Sequence, residues 1–430
     1  MVNGVLLLAL GLYIPLIDSA DCLLRLIRRR RIKGQREHIW PTSLRGIPQE
    51  DAAAAQRSDA KPYRVLVSIY NIADTFDEFK ENVSRFGYEN VLVIDDASTD
   101  KTPQLLKQEG IPFISNKVNL HKPASILRGL KALSEEIETV AVIDPDSTIL
   151  NLNPREYNKD VSDFKEVLAD FQSSSCAACA VRVVVRCNSL LEYLQNFEYK
   201  ISMGLAKKSL EDFCAVSGAF AFFKRDYLQR ILEGHSESIY GEDYETSLRI
   251  LAGGGRIYYD GRLTVMTKQR NTIWSLSRQR MGWDLASMKI NYFVLSKFLK
   301  KMPKKVFYIY QYIIYNTLFL ILLHPIRIVS ILFLSFSFLN LIDNVTRLNA
   351  IPNYFFNNPA FFLSYYLFHI VLVYALLFMV ERRRRDRYLF ILPIFPFYVL
   401  YINLVPRTLG FLNFFSILFF KKKVVEDGYK

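Results

Sequence analysis

Apolar residues change their spacing along this chain, and each change marks a different kind of element. Residues 2–17 form a continuous apolar run of sixteen residues, followed by Asp18, Asp21 and Arg28-Arg29-Arg30-Arg31. From 61 to about 290, short apolar runs alternate with stretches of helical spacing. Residues 64–69 (RVLVSI), 91–94, 111–114 and 139–143 have the length and continuity of buried strands. Between them, residues 74–86 place Phe76, Phe79, Val83 and Phe86 at helical intervals, and residues 102–108 and 124–136 also suit helices. That alternation predicts an α/β domain with a mostly parallel sheet covered on both faces. From 305 to 420 the chain is mostly Phe, Tyr, Leu and Ile, with apolar runs at 305–323, 326–342, 360–380, 388–404 and 408–420.

The flanking runs read as membrane segments. A secretory signal would carry positive charge ahead of its apolar core, whereas the first basic residue here is Arg25. The run at 2–17 therefore reads as an anchor with residues 28–60 in the cytoplasm. It is short against the ~20 residues that span a bilayer, so it crosses with tilt or local thinning, or lies in the interface. Basic clusters at 382–385 and 421–423 fit the cytoplasmic side, which makes 388–420 a hairpin out and back and gives four or five crossings. Residues 284–301 mix apolar positions with Lys at roughly helical spacing, as a helix lying on the membrane surface does, although a surface helix of the soluble domain fits equally. The expected organisation is an anchor and basic linker at 1–60, a cytoplasmic α/β domain at 61–283, an interface helix at 284–304 and membrane helices at 305–430.

Composition narrows the function classes. With 430 residues, 51% apolar and 14% aromatic, the chain is not largely disordered. Its five cysteines, at 22, 176, 179, 187 and 214, are too sparse for a disulfide-stapled scaffold. Cys176-Ala-Ala-Cys179 lacks the second pair a zinc site needs and reads as part of a buried strand. The net charge of +13 sits in runs beside the apolar segments, a pattern for anionic lipid headgroups rather than nucleic acid.

Polar residues gather where an α/β fold puts chemistry. Tyr70-Asn71, Asp95-Asp96 and Asp144-Pro145-Asp146 each follow an expected strand, and ligands of open α/β sheets bind outside the carboxyl ends of the strands. No Gly-rich dinucleotide or P-loop pattern follows the first strand. Two carboxylates on one tight turn are hard oxygen ligands suited to Mg²⁺ or Mn²⁺ completed by waters and a diphosphate. Asp243, in GEDYETSLRIL (241–251), either complements a helix N-terminus or acts as a general base. Gly253-Gly254-Gly255 reads as the stop of that helix.

In order, VLVSIYN (65–71), VLVIDDASTD (91–100), VAVIDPDST (140–148), SGAFAFFKR (217–225), GEDYETSLRIL (241–251) and RQRMGW (278–283) resemble the motifs of inverting family 2 glycosyltransferases with membrane-embedded C-termini. Hyaluronan, chitooligosaccharide, cellulose and capsular polysaccharide synthases belong to that group. The resemblance covers about residues 61–300. It implies a GT-A-type domain in which Tyr70 and Asp96 hold the base and Lys122 and Asp144 meet the diphosphate. It implies that Asp146, with Asp144, holds Mg²⁺ or Mn²⁺, and that Asp243 is the general base. Ser217, Gly218, Glu242, Gln279 and Trp283 would meet the acceptor. The usual Arg before that Trp is Gly282 here, and Arg280 or Arg278 is expected to reach the leaving phosphate instead; Ile72 replaces a frequent Glu. The implied partners are a UDP-sugar donor, a growing glycan or lipid acceptor and membrane lipids, and the implied location is the plasma (inner) membrane. Three functions follow: a processive polysaccharide synthase, a transferase adding one sugar to a lipid, or a membrane accessory protein that has lost catalysis.

Overall fold

The computed structural model describes residues 61–150, 164–209, 215–235, 240–294, 324–346, parts of 363–375, and 390–420. The anchor expected at 2–17, the linker to residue 60, the run at 305–323 and the basic clusters at 382–385 and 421–423 lie outside the described residues.

The first half follows the alternation of apolar runs. Strand β1 (Tyr63–Ile69) leads through helix α1 (Phe76–Ser84) to β2 (Val91–Asp95), then α2 (Thr102–Gln108), β3 (Phe113–Ser115), α3 (His121–Ala132) and β4 (Thr139–Ile143). The four strands run parallel in the order β3-β2-β1-β4, with Val65 opposite Val91 and Tyr63 opposite Thr139. Such a crossover sheet is buried on both faces, which is why its strands are continuously apolar.

The second half departs from the parallel plan. It adds β5 (Ser147–Ile149), α4 (Phe164–Ser173), β6 (Ala178–Val185), α5 (Leu190–Ser209), β7 (Phe220–Lys224), α6 (Arg225–Leu232), α7 (Glu242–Ala252) and β8 (Ile257–Thr267). Strand β7 pairs antiparallel to both β4 and β6, β6 pairs parallel to β8, and β5 pairs antiparallel to β8. The expected mostly parallel sheet is therefore an eight-stranded mixed sheet, ordered β3-β2-β1-β4-β7-β6-β8-β5. The reason lies in the connection from β4. It is a tight turn to β5, so the sheet grows from β4 through a strand arriving from the opposite direction.

Alternate strand residues feed two cores, as a two-residue period requires. Val65, Val67 and Ile69 face Phe79 of α1 and Phe164 and Phe171 of α4, while Leu66, Val140 and Val142 face Ile126 of α3 and Leu248 and Ile250 of α7. Cys179 is buried in β6, as the strand reading of that motif expects, and Cys176 is buried two residues ahead of the strand.

Helix α8 (Ile273–Lys289) begins where Thr272 caps the Ser275 N–H at 3.2 Å, and it runs through the expected domain boundary at 283/284 without a break. It packs along the C-terminal helix α10 (Phe395–Phe420), with α9 (His324–Thr346) also against α10. Leu194 and Phe197 of α5 and Leu276 of α8 share a third core with Phe395, Tyr398 and Ile402 of α10. Within the hairpin expected across 388–420, Phe395–Phe420 is one continuous helix. Pro406 lies inside it, and a proline removes only one backbone hydrogen bond while side-chain packing holds the rest. Among the described residues, Phe395–Phe419 is the one helix long and apolar enough to cross a membrane.

Candidate active site

The carboxyl end of β4 closes into a turn. Ser147 N–H donates to the Asp144 carbonyl at 3.0 Å across Pro145, a residue suited to the second position of such a turn. Asp144 N–H donates to the Ala219 carbonyl at 3.2 Å, which brings the Ser217-Gly218 segment ahead of β7 beside the carboxylates. Gly241, at φ 76°, turns the chain into α7, and a side chain there would press on Ala286 at 3.1 Å. Asp243 therefore stands in the first turn of α7, facing the same segment.

These elements enclose a cavity of about 580 Å³. Asp144, Asp146, Ser217, Gly218, Glu242 and Asp243 line one side of it, and Gln279 and Trp283 of α8 line the other. Lys122, the second residue of α3, reaches in between. Its ammonium donates to Asp144 Oδ1 at 2.5 Å, the Gly218 carbonyl at 3.1 Å and Glu242 Oε1 at 3.2 Å. His121 just before it holds φ 62°, a left-handed backbone that a residue with a side chain adopts at a cost of roughly 1–2 kcal/mol. The sequence reading thus meets most of its members in one place.

Asp243 is held by two backbone donors, Gly218 N–H to Oδ2 at 2.9 Å and Tyr244 N–H to Oδ1 at 2.8 Å. Burial pushes its carboxyl up to about 6 and the Glu242 charge adds to that, while the two N–H donors and Lys122 oppose. A carboxylate in that range is a better proton acceptor near neutral pH than an exposed one. Burial likewise pushes Asp144 up to about 7, against the attraction of Lys122 and with the charges of Asp146 and Glu242 adding. Burial alone would lower the Lys122 ammonium, but Asp144 and Glu242 outweigh it and hold the group above its usual range. A base with this behaviour gives the reaction it serves an acid limb. The rate is expected to hold above pH 6 and to drop on the order of tenfold per unit below it, as Asp243 takes up a proton. A pH–rate profile checks this, and a flat profile down to pH 5 would remove Asp243 as the titrating base.

The donor set suits a divalent cation. Asp146 is exposed at the cavity mouth and Asp144 faces it from the same turn, two hard oxygen donors that leave positions for water and phosphate. Among the described residues no group of three or more His, Cys, Asp or Glu that could hold a metal stands together.

Three expected residues lie elsewhere. Tyr70 and Asp96 follow β1 and β2 and do not line this cavity. Asp96 is buried, and its Oδ1 accepts from Asn116 Nδ2 at 2.7 Å and Leu120 N–H at 2.8 Å, bracing the loop into α3. Arg280, expected at the leaving phosphate, is buried and does not line the cavity. Its Nη2 donates to Glu198 Oε2 at 2.8 Å, the acceptor also of Tyr398 OH at 2.6 Å, and its guanidinium lies 4.3 Å from the Trp283 ring centroid. The pairing partner lies 82 residues away in sequence, so motif spacing gave no sign of it. Arg280 thus props Trp283 and ties α8 to α10. Arg280→Ala is expected to cost about 3 kcal/mol, because it strands the Glu198 charge, and thermal unfolding of the purified protein measures it. An unchanged midpoint would contradict the structural role.

Sequence reasoning also missed cavity residues. Tyr240 packs its ring 3.1 Å from where a side chain at Gly282 would begin, which explains the missing arginine: the space is taken. Lys268, Gln269 and Arg270, leaving β8, line the cavity as well, and the three polar residues in a row at a strand end were the available signal. The Gln279 Oε1 atom is buried and has no hydrogen-bond donor among the described residues, an acceptor open to a ligand hydroxyl.

An uncharacterized protein of Methanocaldococcus jannaschii is 30% identical over 83 residues, 19% of this chain and 34% of that protein. The crystal structure of GalNAc-T7 with UDP, GalNAc and Mn²⁺ is similar at a TM-score of 0.36 and 11% identity, over 53% of this chain and 48% of that one. The chain thus spans about a third of the first and half of the second. Residues 65–232 match the family model described as Glycosyl transferase family 2. That match takes in β1, Lys122, Asp144, Asp146 and Gly218, while Asp243 and α8 line the cavity from beyond it.

Proposed function

We propose that this protein is an inverting glycosyltransferase that moves a sugar from a nucleotide-sugar donor, a UDP-sugar, to the growing end of a polysaccharide at the plasma (inner) membrane. The observation that carries the reading is the convergence of Asp144, Asp146 and Asp243 on one cavity, with Gly218 between them. A side chain at Gly218 would start 3.3 Å from both Lys122 Nζ and Glu242 Oε1 and 3.5 Å from Asp144 Oδ2, so a bare backbone keeps that space for a substrate.

Asp243 takes the proton of the acceptor hydroxyl as its oxygen attacks the anomeric carbon, and Gly218 and Tyr244 N–H aim the carboxylate. Lys122 brings positive charge to the diphosphate side. Asp146, with Asp144, would hold Mg²⁺ or Mn²⁺, which when bound neutralises diphosphate charge. Gln279 and Trp283 offer a hydrogen-bond acceptor and an aromatic face to the acceptor sugar, and Ser217, Gly218 and Glu242 flank it. Tyr70 and Asp96, at neighbouring strand ends, remain the proposed base-binding side. A single in-line attack inverts the anomeric centre.

Membrane placement is supported by the union of α8 with the apolar helix α10. Leu285, Met288 and Phe414 are buried together, a side chain at Gly410 would start 3.1 Å from the Met281 carbonyl, and Arg407 Nε lies 3.4 Å from Asp284 Oδ2. With the catalytic domain in the cytoplasm, a product leaving past Trp283 meets that helix, a path for extrusion through the protein's own membrane region. A second reading, addition of one sugar to a lipid acceptor, is favoured by Tyr240 covering Gly282 and narrowing the acceptor side. Membranes supplied with radiolabelled UDP-sugars separate the two. Product of high molecular mass is expected, and a lipid carrying one sugar would transfer the assignment to the second reading.

A further inference from the structure

A departing nucleoside diphosphate gains negative charge, and a site that releases it quickly places a cation beside it. Arg280 is unavailable, because it is buried against Glu198 and Trp283, and residue 282 is a glycine under the Tyr240 ring. Strand β8 supplies an alternative. Its antiparallel pairing with β5 sets Ser147 opposite Thr267, so Asp146, just before β5, and Lys268, just after β8, stand level with each other. The segment that follows is firmly built. Lys268 pairs with Glu78, Gln269 Nε2 donates to Tyr199 OH at 3.1 Å, and the Arg270 carbonyl accepts from Gln195 Nε2 at 2.7 Å. Gln195 has no solvent exposure, so the backbone at 270 is pinned to the protein interior. Two of the three polar side chains are thereby engaged. The third, Arg270, is exposed at the cavity, and its guanidinium has no ion-pair or hydrogen-bond partner among the described residues.

We propose that Arg270 binds the diphosphate of the donor and meets the charge that forms on it, the task that the motif assigns to residue 282. The inference rests on the glycosyltransferase reading. In the step it serves, the bond between the anomeric carbon and the terminal phosphate oxygen breaks and its electron pair stays on that oxygen. The acceptor oxygen forms the new bond to the carbon, and its proton goes to Asp243. A guanidinium suits this position because its planar fork matches two phosphate oxygens at once.

Equilibrium binding of UDP and UMP to the full chain in detergent, with Mn²⁺ present, tests the assignment. Arg270→Ala is expected to weaken UDP by roughly tenfold or more and UMP by about twofold at most, and Arg270→Lys to recover part of the loss. An unchanged melting temperature in both variants shows that the fold is intact, as expected for an exposed side chain. Wild-type affinity of Arg270→Ala for UDP overturns the proposal, and so does an equal loss of UDP and UMP. A wild-type protein that binds none of UDP, GDP, CDP or ADP overturns the glycosyltransferase reading itself, a result distinct from failure of Arg270 alone.

Discussion

Replacing Asp243 with Asn is expected to reduce sugar transfer on the order of a thousandfold while leaving the protein folded and able to bind nucleotide. The asparagine keeps the shape of the carboxylate and can still accept the Gly218 N–H through its carbonyl oxygen, so the loop at 216–219 retains its anchor. What is lost is the ability to take a proton. The Ser247 hydroxyl joins α7 to that loop, Oγ donating to the Asp243 carbonyl at 2.6 Å and accepting from Val216 N–H at 3.0 Å, and this contact does not involve the Asp243 side chain. Parallel assays of transfer and UDP binding measure the two effects. A variant that transfers near the wild-type rate would remove Asp243 as base, and one that loses both transfer and nucleotide binding would point to a structural role.

Removing the carboxylate of Asp146 has the second large effect. Asp146→Ala is expected to lower transfer on the order of a hundredfold or more and to abolish its dependence on Mg²⁺ or Mn²⁺. Asp146 is exposed, follows Pro145 in a turn held by backbone hydrogen bonds, and carries no packing duty, so the fold is expected to tolerate the change. Asp144→Ala is a poorer probe, since it would also release Lys122 from its 2.5 Å partner. Titration of the wild-type protein with chelator, followed by restoration with Mn²⁺, gives the companion measurement. Full activity in excess chelator would contradict the role given to the Asp-Pro-Asp turn.

Local signals in the sequence carried the domain's first half well. Strand β4 covers residues 139–143 and helix α2 residues 102–108, as their apolar spacing predicts. Helix α3 begins at His121 and ends at Ala132 rather than spanning 124–136. Pro123 is tolerated in a first turn, and Leu133 turns extended at the other end. Apolar runs report strand existence but not direction, so the antiparallel arrival of β7 was not legible. Nor was the continuity of α10 through Pro406, because a proline in an apolar run reads as a break until the partner helix is known. In the site, motif order brought Asp144, Asp146, Gly218, Asp243 and Trp283 to one cavity. It misplaced Arg280 because charge pairing depends on Glu198 and Tyr398, residues distant in sequence and near only in space. Lys268 and Arg270 went unread because a register between two strands, not a motif, sets them beside Asp146.

The central claim is that the three carboxylates act together on one nucleotide-sugar. It is tested most directly by nucleotide release from a panel of UDP-sugars, using the purified full chain in lipid nanodiscs with an acceptor glycan and Mn²⁺. Release from at least one donor is expected, stopped by chelator and absent in both Asp243→Asn and Asp146→Ala. No release from any donor, or equal release by the wild type and both variants, would contradict it.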